Sequence, residues 1–201
     1  MIGIIDYSIN NIRSILNAIQ FLQIKHEVVT NPERLNSYKM LILPGVGSFD
    51  SGVTALKSSG MFAKLQSLDL DNIKIFGICL GMQLLCKNSE EGQLEGLGLI
   101  DTKVVNLKNK RCIGKIPHVG FNTIISGGES SFLESMIGSD FYFVHSFGID
   151  QRSMLFETAE CDYEGAEIIA AFHAGNIFGT QFHPEKSGTK GLELIRRAYE
   201  C

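Results

Sequence analysis

The chain has 201 residues, of which 44% are hydrophobic and 20% charged, and its formal net charge is −4. This length supports one well-buried core and is short for two, so we predict a single domain over residues 1–201. The acidic charge gives no electrostatic reason to expect binding to nucleic acid or to an anionic membrane surface.

The apolar runs, the N-terminal segment and the cysteines together favour a cytoplasmic protein. The apolar runs are strand-sized, well below the roughly 18 residues that span a bilayer. An acid at Asp6 without a basic segment before it is typical of a first strand rather than a signal peptide. The five cysteines are odd in number and scattered, which favours reduced thiols over a disulfide framework or a zinc site.

The first half of the chain alternates buried strands with amphipathic helices. We predict strands at 2–6, 25–30, 40–43 and 73–78, and helices from Asn10 or Asn11 to 24, at 50–60, at 61–70 and from 82–87 onward. Each crossover between parallel strands needs a helix, so this alternation predicts a parallel, doubly wound sheet.

The second half contains short strands with hairpin-like spacers. We predict strands at 104–107, 123–125, 141–147, 154–160, 168–173 and 177–181, and a closing helix at 189–199. Gly175-Asn176, between the last two strands, is a turn signal. The predicted fold is therefore α/β, with a mixed, mostly parallel sheet flanked by helices and antiparallel additions in the second half.

The strongest chemical signal is Cys79, which has a glycine two residues to either side. Gly77-Ile78-Cys79-Leu80-Gly81 follows an apolar strand and precedes a helix, the layout of a nucleophile elbow. The glycines remove side chains that would clash in a sharp turn, and the positive end of the helix favours a thiolate. The Leu80 amide is a natural oxyanion donor. The alternative is a buried cysteine that packs as a small hydrophobic residue.

A candidate base lies in Gln181-Phe182-His183-Pro184-Glu185. In an extended segment, residues two apart face the same side, so Glu185 could orient the His183 imidazole. The alternative is a structural histidine at a strand end. For His118 and His145, spacing alone favours structural roles.

The turn Pro44-Gly45-Val46-Gly47 follows a predicted strand, where open α/β sheets usually bind ligands. It has neither the Lys-Ser/Thr of a P-loop nor the spacing of a dinucleotide fingerprint. We therefore expect it to offer backbone amides to an oxyanion or a small polar substrate. No set of His, Cys or acidic residues shows metal-ligand spacing, so we predict no metal and no cofactor.

Taken together, these motifs resemble the class I (triad) glutamine amidotransferases, and most closely the glutaminase subunits of imidazole glycerol phosphate synthases. The similar segments run nearly end to end and include Ile-Ile-Asp-Tyr, Pro-Gly-Val-Gly, Gly-Ile-Cys-Leu-Gly-Met-Gln, Ser-Glu-Glu, Pro-His-Val-Gly-Phe-Asn, Tyr-Phe-Val-His-Ser and Gln-Phe-His-Pro-Glu-Lys-Ser. The resemblance implies a flavodoxin-like fold.

The resemblance also implies a role for each matching residue. Cys79, His183 and Glu185 would form the catalytic triad, and the oxyanion would be held at Val46, Gly47 and Leu80. Glutamine would be bound through Gln83, Glu91, His145, Ser146 and Phe147. The partner interface and ammonia passage would involve Asn11, Phe121, Tyr142 and Lys186. A carboxylate at Glu91 suits the ammonium group of the substrate.

By the same resemblance, the chain hydrolyses L-glutamine and passes ammonia to a (β/α)8 cyclase in a heterodimer of histidine biosynthesis. Its Pro44–Gly47 amides would rest in a non-productive orientation until the partner is bound. Two departures would also fit an alternative partner, an amidotransferase for surface sugars: Ser8-Ile9-Asn10-Asn11 replaces a glycine-rich stretch, and Phe121 replaces the usual tryptophan. More distant alternatives are a cysteine peptidase or chaperone of a related fold, and a catalytically silent scaffold subunit.

Overall fold

The computed structural model describes residues 1–9, 11–110, 112–149 and 156–201. The predicted N-cap candidate Asn10 and the predicted strand residues 154–155 lie outside these ranges. The strands are β1 (Ile2–Ile5), β2 (His26–Val29), β3 (Met40–Gly45), β4 (Lys74–Cys79), β5 (Cys86–Ser89), β6 (Ile100–Asn106), β7 (His118–Thr123), β8 (Ser126–Gly127), β9 (Asp140–His145), β10 (Phe147–Ile149), β11 (Glu157–Tyr163), β12 (Ala166–Ala174) and β13 (Ile177–Thr180).

The described helices comprise six α-helices and three short 3-10 turns. The α-helices are α1 (Ile12–Phe21), α2 (Phe49–Ser58), α3 (Met61–Gln66), α4 (Leu80–Leu84), α5 (Ser131–Glu134) and α6 (Gly188–Glu200). The 3-10 turns are Pro32–Ser37, Leu107–Lys110 and Pro184–Lys186.

An eight-stranded sheet has the order β2-β1-β3-β4-β13-β12-β11-β8. Its first five strands are parallel, and β12, β11 and β8 extend it by antiparallel pairing. The parallel core and its antiparallel additions are therefore confirmed. The turn at Gly175-Asn176 is also confirmed, because Ala174 pairs with Ile177 across the β12–β13 hairpin.

Both faces of the parallel strands β1, β3, β4 and β13 are buried, whereas the edge strand β2 is only partly buried. Successive side chains of a strand point to opposite faces, so Met40 and Ile42 join one apolar cluster while Leu41 and Leu43 join the other. The first cluster packs α1 and α6 against the sheet, and the second packs α2 and α3. This burial on both sides explains why the parallel strands are continuous apolar runs in the sequence.

Apart from shifts in the ends of elements, the sequence predictions and the structure differ at three places. The helix after Cys79 begins at once, as α4, and residues 86–89 form β5 because they pair with β6. The strand predicted at 123–125 is β7, shifted to residues 118–123 by pairing with β9. The strand predicted at 141–147 is two strands, because β9 pairs with β7 whereas β10 pairs with β6.

The parallel arrangement brings the chemical motifs to one edge of the sheet. Gly45 pairs with Cys79, and Ile78 pairs with Thr180. The turn after β3, the elbow after β4 and the His183 segment after β13 therefore begin at neighbouring positions.

Candidate active site

Cys79 lies at the junction of β4 and α4 with φ 55° and ψ −112°, a backbone conformation that residues other than glycine rarely adopt. A Cβ at position 81 would lie 1.8 Å from the carbonyl oxygen of Leu43, and one at position 77 would lie 2.7 Å from the backbone nitrogen of Met82. The glycines therefore permit close backbone packing, and the strand–turn–helix geometry predicted around Cys79 is present.

His183 lies beside Cys79 and is held by Glu185. Its Nδ1–H donates to Oε1 of Glu185 at 2.8 Å, and His183 borders the same cavity as Cys79, whose charge acts on the ring. Both the His183 and Glu185 side chains are almost fully buried. Burial opposes protonation of the ring, but the hydrogen bonds and negative charges of Cys79 and Glu185 outweigh it and raise the pKa of His183 to about 9.

The route by which Glu185 reaches His183 differs from the sequence prediction. We expected an extended segment with alternating faces, but β13 ends at Thr180 and Pro184–Lys186 form a 3-10 turn. Ser187 Oγ donates to the carbonyl oxygen of His183 at 2.7 Å, which fixes the start of that turn. Glu185 therefore does contact His183, but through a 3-10 turn rather than through the extended segment that we expected.

Gln181 is a site residue that the sequence analysis missed. It is fully buried, and its Nε2 donates to Cys79 Sγ at 3.9 Å, while its Oε1 accepts from Nε2 of Gln83 at 3.0 Å. Gln83 Nε2 also donates to the carbonyl oxygen of Phe147 at 3.0 Å. Hydrogen bonds through the side-chain amides of Gln83 and Gln181 thus connect the backbone carbonyl of Phe147 to the Cys79 thiol. The signal for Gln181 was its position two residues before His183.

Cys79 and His183 open into a cavity of about 390 Å³. The cavity is lined by Val46, Gly47, Cys79, Leu80, Gln83, Glu91, Pro117, Val144, His145, Ser146, Phe147 and His183. All the residues predicted for the oxyanion and for glutamine therefore border one space, together with Cys79 and His183. Pro117 and Val144 were not predicted, and Glu185 lies behind His183 rather than in this lining.

His145 is tied into a network of neutral rings. The Phe147 carbonyl can only accept, so Nδ1–H of His145 donates to it at 2.8 Å, and Nε2 is left to accept from Nδ1–H of His118 at 3.0 Å. Asn122 Nδ2 approaches the other nitrogen of His118 at 3.4 Å, and the His118 ring stacks between Phe143 and Tyr163. Because both nitrogens of His145 are used, its effect on the cavity runs through the 145–147 backbone.

This histidine pair predicts acid sensitivity. Burial lowers the pKa of His118 to about 4 and that of His145 to about 3. In the unfolded chain both histidines take up protons near pH 6.5, whereas in the folded chain they stay neutral to lower pH. Their contribution to the free energy of unfolding is therefore fully present above pH 6.5, and it is lost as the pH falls through about 4 and 3. Between pH 7 and 5, we expect His118→Phe to lose less unfolding free energy than the natural chain, by on the order of 1–2 kcal/mol. Urea unfolding at both pH values measures this, and equal losses would contradict it.

Glu91 lies on the turn between β5 and β6 and faces the cavity. Its Oε2 accepts the backbone N–H of Phe49, the first residue of α2, at 2.8 Å. That N–H has no partner inside the helix, and a carboxylate is favoured at a helix N-terminus. Glu91 is therefore linked to the segment that follows the Pro44–Gly47 turn.

The Pro44–Gly47 turn is held from beneath by Tyr7, another residue the sequence analysis did not single out. The buried Tyr7 hydroxyl donates to the carbonyl oxygen of Pro44 at 2.7 Å. Burial, together with the charge of Cys79, raises the pKa of Tyr7, so the hydroxyl keeps its proton. Gly47 has φ 102°, a left-handed conformation that suits glycine.

None of the four residues predicted at the partner interface lines the main cavity, and two of them, Asn11 and Lys186, border His183 and Glu185. Phe121 is 63% exposed and contacts Tyr142 across the β7–β9 pair, with ring centroids 5.5 Å apart. Lys186 Nζ lies 5.7 Å from the Tyr142 ring. Asn11 and Lys186 line a second cavity of about 10 Å³ that also borders His183 and Glu185. Ser8, the first residue of the segment that replaces a glycine-rich stretch of the family, has φ 74°, a backbone conformation that favours glycine.

The residues that the structure describes show neither a metal-binding cluster, nor a membrane-spanning helix, nor a disulfide bond. No group of three His, Cys or acidic side chains among them could hold a metal ion. No described helix is long and apolar enough to cross a membrane. All five cysteines are free thiols, and burial raises the pKa of Cys86 and of Cys161.

Comparison with known proteins places these features in a family. The model of class-I glutamine amidotransferases matches residues 3–200. The chain is 42% identical to imidazole glycerol phosphate synthase subunit HisH 2 of Methanococcus maripaludis, over 97% of this chain and 96% of the relative. It is 39% identical to the corresponding HisH subunit of Caldanaerobacter subterraneus, over 98% and 96%.

Solved structures support the same fold. A glutamine amidotransferase crystal structure matches with a TM-score of 0.78 and 18% identity, over 99% of this chain and 97% of that one. PurLQS from Thermotoga maritima matches with a TM-score of 0.70 and 20% identity, over 99% and 96%. With the family model matching nearly its whole length, the chain belongs to the class-I glutamine amidotransferases, glutaminases with a cysteine nucleophile.

Proposed function

We propose that this chain is one glutaminase domain that hydrolyses L-glutamine through Cys79, His183 and Glu185 and supplies ammonia to a synthase partner in the cytoplasm. The observation that carries this proposal is the buried Cys79–His183–Glu185 arrangement at the wall of the 390 Å³ cavity. The near full-length similarity to HisH subunits supports imidazole glycerol phosphate synthesis, in histidine biosynthesis, as the destination.

In the first half of the reaction, His183 takes the proton of Cys79, and the sulfur attacks the side-chain amide carbon of glutamine. Glu185 stabilises the imidazolium that forms, which agrees with the raised pKa of His183. The tetrahedral oxyanion is held by backbone amides at Leu80 and at Val46 and Gly47. The carbon–nitrogen bond then breaks, His183 gives its proton to the leaving nitrogen, and ammonia departs from a glutamyl thioester.

In the second half, water attacks the thioester carbon while His183 accepts a proton from it. The carbon–sulfur bond breaks, the proton returns to sulfur, and glutamate leaves. Gln181 keeps a hydrogen bond on Cys79 Sγ, which stabilises the thiolate both before attack and as a leaving group. No step requires a metal or a cofactor.

Glutamine recognition is divided between side chains and backbone. Glu91 pairs with the α-ammonium group, since its carboxylate borders the cavity. Gln83 uses its amide nitrogen on Phe147 and Gln181, so its carbonyl oxygen is the atom left for the substrate. His145 holds Ser146 and Phe147 in place through the ring network rather than by direct contact.

The partner side is the surface that carries Asn11, Lys186, Tyr142 and Phe121, which are linked pairwise in that order. The small cavity bordered by Asn11, Lys186, His183 and Glu185 has the volume of about one water or ammonia molecule. Lys186 borders this cavity, and its Nζ lies 5.7 Å from the ring of the half-buried Tyr142, which contacts the exposed Phe121. This chain of contacts supports release of ammonia on this side. A (β/α)8 cyclase docked there in a heterodimer would receive the ammonia directly.

The test mixes the purified chain with a candidate cyclase and, separately, with a sugar amidotransferase, each with its own acceptor substrate. We expect the cyclase and its nucleotide substrate to raise glutamine hydrolysis by at least tenfold over the isolated chain, which corresponds to an activation free energy lowered by about 1.4 kcal/mol. Stimulation by the sugar amidotransferase alone would replace the proposed partner. An isolated chain that already runs at the maximal rate would rule out a non-productive resting state of the Pro44–Gly47 amides.

A further inference from the structure

The turn that carries Glu91 is fastened to α2 by a second acid. Asp50, the second residue of α2, accepts the backbone N–H of Gln93 at 3.1 Å on Oδ1 and 3.0 Å on Oδ2. Its Oδ1 also accepts the N–H of Leu94 at 3.0 Å. Two neighbouring residues of α2 therefore hold the turn, one as a donor and one as an acceptor. The Phe49 N–H donates to Glu91, and the Asp50 carboxylate accepts from the N–H groups of residues 93 and 94.

Gly92 shows how closely Asp50 approaches this turn. A Cβ at position 92 would lie 1.9 Å from Oδ1 of Asp50. Gly92 does not have a positive φ, so its backbone conformation is open to other residues. The glycine is needed at this position because the Asp50 carboxylate occupies the space of a side chain.

We propose that Asp50 is a positioning residue for glutamine recognition: it fixes residues 91–94, and through them the carboxylate of Glu91. This inference rests on the proposed function, in which Glu91 meets the α-ammonium group of the substrate. A hydrogen-bonded turn holds that carboxylate in place before glutamine arrives, so less ordering is needed on binding. The effect belongs to substrate affinity, whereas Cys79 and His183 are untouched.

A simpler role for Asp50 is to stabilise α2, since acids are favoured in the first turn of a helix. The two roles differ in what they change. Helix stabilisation would shift the unfolding midpoint without a specific effect on glutamine. Positioning raises the KM for glutamine and leaves kcat nearly constant, because it removes binding shared by ground and transition states.

The experiment measures glutamine hydrolysis by the partner-activated complex at varied glutamine concentration. We expect Asp50→Ala to raise KM on the order of tenfold with kcat within about twofold, the loss expected for one charge-assisted interaction. Asp50→Asn, which keeps one acceptor oxygen, should fall between it and the natural chain. Asp69→Ala is the matched control, because Asp69 also accepts a turn N–H, from Asp71, but lies before β4.

A double-mutant cycle makes the test sharper. Gly92→Ala should displace the Asp50 carboxylate and raise KM in the natural chain, but should add little in the Asp50→Ala background. Fully additive effects, or a KM within twofold for Asp50→Ala, would overturn the inference. Glu91→Gln separates the two proposals: if it leaves KM unchanged, glutamine recognition by Glu91 fails, and the role of Asp50 fails with it. If Glu91→Gln raises KM and Asp50→Ala does not, the role of Asp50 alone is lost.

Discussion

Replacing Cys79 with alanine is expected to abolish glutamine-dependent synthesis by the complex while synthesis from added ammonia continues. The thiol is the one group that forms a bond to the substrate, so its loss should lower kcat by about 10⁴-fold or more. Ammonia enters after the glutaminase step, so the partner's reaction should keep its rate. Parallel assays with glutamine and with an ammonium salt measure both.

The control is Cys201→Ala, which removes an exposed thiol at a distance from the cavity. It should leave both assays unchanged. Glutamine-driven turnover that survived Cys79→Ala would favour the catalytically silent scaffold interpretation and would remove the proposed mechanism.

Replacing Glu185 with glutamine is expected to lower kcat for glutamine by 10²- to 10⁴-fold, the range found when a base loses its orienting acid. Glutamine keeps the shape but not the charge, and Glu185 is one of the two groups that raise the pKa of His183 to about 9. The pKa of His183 should therefore fall. Steady-state rates, and the pH profile of Cys79 alkylation, measure the two effects.

Glu193→Gln is the matched control, because Glu193 is an exposed acid on α6 that pairs with Lys190. An exposed ion pair contributes little to stability, so this change should leave the rate and the pH profile as they are. A Glu185→Gln chain with a rate within twofold of the natural one would show that the carboxylate is not needed for catalysis.

The parallel sheet and the elbow could be predicted because their signals are local. Buried runs, helical periodicity and flanking glycines are all written in consecutive residues, as around Cys79. The strand predicted at 123–125 was displaced because pairing with β9 decides the register of β7. Residues 86–89 likewise follow their partner β6 rather than helical propensity.

The supporting contacts of the site could not be predicted, since each joins distant parts of the chain. Tyr7 reaches Pro44, Asp50 reaches the turn after β5, and His118 reaches His145 only when two strands pair. Gln181 is the exception, because it lies near His183 in sequence. Hydrogen bonds between remote segments leave no pattern in consecutive residues. A nucleophile on a sharp turn does leave one, because the turn needs glycines close to it in sequence.

The backbone of Cys79 adds an argument about selection. Holding a residue other than glycine at φ 55° costs on the order of 1–3 kcal/mol, out of the 5–15 kcal/mol by which a domain resists unfolding. Glycine at this position would relieve the strain. If the chain were selected for stability alone, substitutions that remove the thiol would therefore be favoured. A subunit kept only for docking would have no reason to retain cysteine there. The strained thiol is therefore evidence that the chain has remained under selection for turnover.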